Sequence, residues 1–419
     1  MVMRLLRLAR GWSTPRRGYY VLAAGWDFFH AMAFTLALVY QLQVAGLTPF
    51  QLIVVGTVME LTCFLAEVPT GVVADLYSRK LSIIIGFVLI GAGIVVQGAV
   101  PAFWWILAAQ VVWGIGFAFT SGAVEAWITD EAGPEHVLPL FTRGTQIGLV
   151  FTFVGTLAAG ALGIVSLRLP LLVAGVGFAA LAVVLAVIME ERNFTPVRPE
   201  RRESFAHMRA SFTAGLAQAR RRPVVRSFLL ISLLSGLSSE AFDRLWTARI
   251  LEDFALPSAF GAASAVWFTV FALIGHLVAL VASVVTQRLS PVAVNAAHPG
   301  ALLAVLVIVQ AGGIAGLALS GNLWFAVGAV WIRDAARVVS EPIQAAWLNR
   351  SVDSGTRATV LSINSQFNGI GQIAGGPPLG ALAGRTSIPV ALLVSAGLLV
   401  PAALVFARLR GGRAGPGLR

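Results

Sequence analysis

Glu67-Val68-Pro69-Thr70-Gly71-Val72-Val73-Ala74-Asp75-Leu76-Tyr77-Ser78-Arg79-Lys80 is the stretch from which the organisation of this 419-residue chain is read. An apolar run carrying one acid, Glu67, meets a Pro-Thr-Gly step and a small-residue turn, then Asp75 and two adjacent bases before apolar sequence resumes. The pattern predicts a helix end, a tight loop and a helix start. Gly71 lets two helices approach closely, Asp75 can face a helix N-terminus, and Arg79 and Lys80 stay on the phosphate side of a bilayer. The segment therefore reads as a latch between two spans on the cytoplasmic side.

Composition extends the reading to the whole chain. Mean hydropathy is +0.84, with 58% hydrophobic and 12% charged residues, too apolar for a protein with a polar surface all round. The net charge of +11 is concentrated in short connections between apolar runs, so lipid headgroups are the expected partner and nucleic acid is not. The lone Cys63 lies inside an apolar run, which excludes a disulfide framework and a cysteine metal site. The basic arm Met1 to Gly18 lacks the apolar core and cleavage site of a secretory signal.

Twelve runs approach the 20 or so residues that cross a bilayer: 19–43, 49–74, 81–99, 102–129, 139–165, 169–189, 227–250, 258–285, 300–319, 323–347, 358–383 and 387–407. The fold class is all-α, a polytopic membrane protein. All but six of the 30 Lys and Arg fall in the N-terminal arm, the even-to-odd connections and the C-terminus. Arg168, Arg249 and Arg385 lie on the other side, and Arg244, Arg333 and Arg337 lie inside runs. This asymmetry places both termini in the cytoplasm, with the chain in a bacterial-type cell membrane. Residues 191–226 form an arginine-rich linker between an N-terminal six-helix bundle, 1–190, and a C-terminal one, 227–410, followed by a disordered tail, 411–419. Within the linker Phe205, Met208, Phe212 and Leu216 recur at helical spacing opposite Arg202 and Arg209, which fits a helix on the membrane surface or a solvated tether.

The order Gly71, three residues, Asp75, two residues, a small residue, Arg79, Lys80 resembles the signature loop between the second and third helices of the major facilitator superfamily, with Ser78 in place of the usual glycine. An internal repeat extends the resemblance over the chain. Val124-Glu125-Ala126-Trp127 closes the fourth run and Gln344-Ala345-Ala346-Trp347 the tenth, each followed by an Arg-led start at Arg143 and Arg357. The resemblance implies two six-helix bundles that rock about a central midplane site. It also implies a latch in which Glu67, Glu125, Asp130 and Glu131 meet Arg79 and Lys80 in one state and release them in the other. Solvated charges are the plainer reading.

Ionisable residues inside hydrocarbon are functional candidates by default. Asp27 and His30 share a face of the first run amid Trp26, Phe28, Phe29 and Phe34, where Asp27 could hold a proton, face a cationic substrate, or simply pair with a neighbouring helix. Glu60 has no base within a helical turn, as a proton carrier or a hydrogen-bonded structural acid would have it. Gln110 and Trp113 fall in a fourth-helix pattern, Gln110 to Gly116, that resembles one in drug:proton antiporters of the superfamily; there the first position is arginine, and Gln110 speaks against proton antiport. In the seventh run Arg244 can reach Glu240 at i+4 with Asp243 a turn from both, and in the tenth Arg333, Asp334, Arg337 and Glu341 make a stripe that fits an ion ladder or a substrate anion site. Asn364, Gln366 and Asn368 fit a cavity wall or interhelical glue, and Gly375-Gly376-Pro377-Pro378 a hinge, a packing seam or a plain kink.

No phosphate-binding loop, metal-ligand spacing or nucleophile-base pair stands in the sequence, so the expectation is a cofactor-free transporter and not an enzyme. The leading expectation is proton-coupled efflux of an amphipathic small molecule by a monomer, with protons, the substrate and membrane lipids as partners. An importer or uniporter of a small organic anion held by Arg333 or Arg337 is the second. A lipid flippase or non-transporting scaffold is the third.

Overall fold

The structure is a computed structural model that describes residues 14–196, 213, 222–258, 263–295, 299–352 and 357–409. The linker positions Phe205, Met208, Phe212 and Leu216, the tail and most of the N-terminal arm lie outside the described residues. Among those described there are fourteen helices and no strand. The first half runs α1 Thr14–Phe34, α2 Ala37–Gln43, α3 Pro49–Leu76, α4 Arg79–Ala99, α5 Phe103–Thr120, α6 Ala123–Ala132, α7 Val137–Val165 and α8 Leu169–Ile188. The second runs α9 Pro223–Asp253, α10 Ala263–Asn295, α11 Pro299–Leu319, α12 Leu323–Arg350, α13 Arg357–Arg385 and α14 Ile388–Arg408.

Helices α1 and α2 make one span bent at Thr35, whose Oγ1 donates to Ala31 O at 2.7 Å and so competes with the helix ladder. Helices α5 and α6 make another, interrupted at Gly122, whose φ of 72° is left-handed and costs least at glycine. Counting each pair once leaves the twelve expected spans. Ten are long and apolar enough to cross a membrane. The other two, α12 and α13, have the length, 28 and 29 residues, but carry the Arg333 to Glu341 stripe and the polar run from Asn364 to Gln372.

One expectation is corrected. The Pro-Thr-Gly step does not end a helix: α3 continues through Pro69 and Gly71 to Leu76. Proline removes one ladder bond and disturbs one carbonyl, and Thr70 Oγ1 donates to Ala66 O at 2.8 Å in the same turn, the kind of local repair that lets membrane helices hold proline. The turn comes at Tyr77, and Ser78, at an extended φ of −177°, caps α4 by accepting from Leu81 N. That backbone needs no glycine, and the serine supplies a cap glycine would lack.

The chain packs into two compact units, one of Met1–Leu47, Val58–Met208 and Pro257–Leu273, the other of Thr48–Thr57, Arg209–Leu256 and Ile274–Arg419. Packing thus divides the chain inside α3 and α10 as well as at the linker. In the first unit small residues bring backbones together: a methyl on Gly116 would stand 2.8 Å from Gly86 O. Tyr40, Phe87, Trp127 and Phe178 fill its core. In the second unit Gly236, Gly371 and Gly375 set α9 against α13 with no room for a Cβ at any of them, and the Gly375-Gly376 pair therefore lies in a packing seam.

Candidate functional site

The second unit holds a cavity of about 370 Å³ walled by α9, α12 and α13. Its α9 wall is Ser232, Ser235, Ser238, Ser239 and Asp243, spaced to share one helix face. Its α13 wall is Asn364, Ser365, Asn368 and Gln372. These polar groups hold one another in place. Ser232 Oγ donates to Asn364 Oδ1 at 2.7 Å, Asn368 Nδ2 to Ser232 O at 3.2 Å, and Gln372 Nε2 to Asn368 Oδ1 at 2.7 Å. A chain of bonds of this kind fixes the wall and leaves other donors and acceptors for a guest.

The α12 wall is charged. Arg333 lies with its guanidinium 4.1 Å over the Phe242 ring, donates to Asp334 Oδ1 at 2.8 Å and stands 3.6 Å from Asp243. It is only 5% exposed. Arg337, a turn further on, donates to Glu341 Oε1 at 2.7 Å and lies 3.9 Å from Asp243. Its side chain is 44% exposed. The ladder is therefore graded: Arg333 is locked into the wall by three partners, while Arg337 meets its acids where water reaches them.

The i, i+4 pair of α9 is formed, Arg244 Nε donating to Glu240 Oε1 at 3.1 Å, but it lines no part of this cavity. It sits against Gly56, where any Cβ would collide with both side chains.

In the first unit Asp27 points at Gly148 on α7, close enough that a Cβ there would overlap its carboxylate. Among the described residues it has no ion pair. His30 is stacked between Trp26 and Phe34, with ring centroids 5.5 and 4.5 Å away. Trp113 is buried, stacked at 5.3 Å on Phe117 and edge-on to Phe34. Glu60 is half-buried on α3, one turn before Cys63. Gln110 is buried with its amide on another amide, Nε2 donating to Gln97 Oε1 at 2.6 Å, while Gln97 O accepts from Tyr40 at 2.6 Å. This joins three helices by hydrogen bonds.

The α3–α4 turn gathers a polar cluster. Arg79 pairs with Asp130 and also donates to Ala126 O at 2.8 Å. Lys80 Nζ donates to Met189 O at 2.6 Å, and Glu191 accepts from Ser78 Oγ and from Lys80 N. Glu131 accepts from Arg192 N and Asn193 N, each at 2.8 Å. Gly71 and Asp75 lie within the last turns of α3, and Glu67 and Glu125 are exposed. Glu191 and Gln97 were not among the residues singled out from sequence, and nothing local to either marks its role. The α9 serines carried a signal, their recurrence every three to four residues in an otherwise apolar run.

Membrane-crossing helices around a polar, charge-lined cavity are the architecture of a solute transporter. The Major Facilitator Superfamily model matches residues 21–333. This chain belongs to that superfamily, and is a multi-pass secondary transporter that works by alternating access, not an enzyme. It is 23% identical over 356 residues to an uncharacterised MFS-type transporter, YxaM of Bacillus subtilis strain 168, covering 84% of this chain and 85% of that one. Its fold is similar to the crystal structure of the nucleoside transporter NupG, with a TM-score of 0.73 at 14% identity over 94% of this chain and 98% of that one. It is similar as well to a bacterial homologue of the human lysosomal transporter Spinster, with a TM-score of 0.70 at 17% identity over 94% and 97%.

Proposed function

We infer that the transported molecule is a small polar organic solute with an anionic group, bound in the α9–α12–α13 cavity with Arg337 as its counter-ion. The observation that carries this is the graded ladder within a hydroxyl- and amide-rich wall. An exposed ion pair contributes only about 0–1 kcal/mol, so a substrate carboxylate or phosphate can displace Glu341 from Arg337 at little cost. Arg333, held by Asp243, Asp334 and Phe242, keeps the wall in register while this happens.

A second reading is proton-driven efflux of an amphipathic molecule in the cell membrane, with both termini cytoplasmic as the arginine distribution suggests. It is favoured by Asp27, an acid without an ion pair among the described residues, on the helix that also carries the Trp26, His30 and Phe34 stack. The two separate in a screen of polar organic anions in proteoliposomes, with and without an imposed pH gradient. The first expects Arg337→Ala to lose binding and Asp27→Asn to keep it. The second expects Asp27→Asn to abolish gradient-driven transport while leaving the protein folded. Undiminished binding by Arg337→Ala would sink the first.

A further inference from the structure

A groove of about 580 Å³ runs along the second unit between α10, α11 and α12, and its wall is aliphatic throughout. The helices touch where Trp331 lies over Gly275, and beyond that point Val278, Val281 and Val285 face Ile332, Ala335 and Val339 across open space. Among the described residues α10 makes only sparse backbone approaches to its neighbours. Both α10 and α11 are long and apolar enough to cross the bilayer, so the medium that fills this groove is lipid. Toward the C-terminal ends of α10 and α12 the lining changes: Ser283, Thr286 and Gln287 face Glu341 around a second space of about 490 Å³. Arg288 follows on α10, exposed and without an ion-pair partner among the described residues. Glu341 lines both this space and the α9–α12–α13 cavity, and its charge is held by Arg337.

We propose that the α10–α11–α12 groove is a binding site for an anionic membrane phospholipid, its acyl chain against the aliphatic wall and its phosphate at Gln287 and Arg288. Three properties distinguish this groove from an ordinary lipid-facing surface: it is concave where helices normally close, it passes from aliphatic to polar along one line, and an exposed cation, Arg288, follows the polar lining on α10, while the acid there, Glu341, is already held by Arg337. Phosphate next to an arginine makes a charge-assisted hydrogen bond that a zwitterionic headgroup, carrying its own counter-charge, forms less well. The site meets the solute cavity at one residue, Glu341, which Arg337 holds, while the aliphatic wall itself lines no part of that cavity.

The test uses phosphatidylglycerol and phosphatidylcholine carrying the same diazirine in the acyl chain, each doped into nanodiscs holding the full chain, with crosslinks mapped by peptide mass spectrometry. Phosphatidylglycerol labels should concentrate on residues 278–285 and 332–339 several-fold over α8, whose Val183 and Val187 are as open to lipid. Arg288→Ala should bring phosphatidylglycerol labelling of the groove down to the phosphatidylcholine level, and Ala335→Trp, which fills the groove, should remove both. Even labelling of α8, α10 and α12 in the unmodified protein, where no substitution can have disturbed folding, overturns the site. So does labelling indifferent to headgroup and to Arg288. Solute binding by Arg337→Ala in the same discs reports separately on the cavity.

Discussion

The two units place their charge differently. In the first, the ion pairs and the polar cluster sit at helix ends, around the α3–α4 turn and the segment after α8, while the middle of the unit is aromatic rings, an amide pair and the two acids Asp27 and Glu60. In the second, the charge ladder stands midway along α12, opposite a row of serines and amides. Charge at the ends of spans anchors helices at the interface. Charge in the middle needs water, a partner or a guest, and the ladder beside the cavity is therefore where the solute reading rests.

Four substitutions break or sharpen this contrast. The largest effect belongs to Arg333→Ala, which leaves Asp243 and Asp334 facing each other in the wall without the cation between them. It should destabilise by about 2–3 kcal/mol, read as a fall in thermal-unfolding midpoint in detergent, and Arg333→Lys should recover only part because it lacks the planar contact with Phe242. Next is Gly116→Val in the first unit, where the added atoms meet Gly86 O and Ile90 N. Overpacking there should cost about 1–3 kcal/mol in the same assay. Gln110→Leu leaves the Gln97 side chain without its partner and should cost about 1–2 kcal/mol, whereas the double change Gln97→Leu with Gln110→Leu should recover most of it. Smallest is Arg337→Ala, less than about 1 kcal/mol of stability given its exposed setting, yet with loss of solute binding. A large stability loss from Arg337→Ala with solute binding retained would make the ladder structural and erase the contrast.

The spans were legible because a bilayer imposes length and apolarity on each one separately. All twelve runs match helices or bent pairs, and the i, i+4 pairs Glu240–Arg244 and Arg337–Glu341 follow from helix geometry alone. Apart from Arg79–Asp130, expected from the resemblance, what escaped the sequence is contact between elements. Ser78 bonds Glu191 over a separation of 113 residues, and Ser232 bonds Asn364 over 132. No periodicity connects such positions. Pro69 misled for a different reason: a proline is a reliable helix stop in water, but in a bilayer the helix that holds it can run on, here with Thr70 Oγ1 bonding Ala66 O in the same turn.

The polarity of α12 and α13 bears on how the protein is made. A segment partitions from the insertion machinery into lipid according to its own hydrophobicity, with each central arginine or aspartate opposing entry. These two segments are the poor candidates among the described spans, so their entry into the bilayer depends on α9 and α11 already being there to receive their serine, amide and arginine side chains. The residues assigned to cargo under the solute reading are thus the ones that make the protein's biogenesis cooperative.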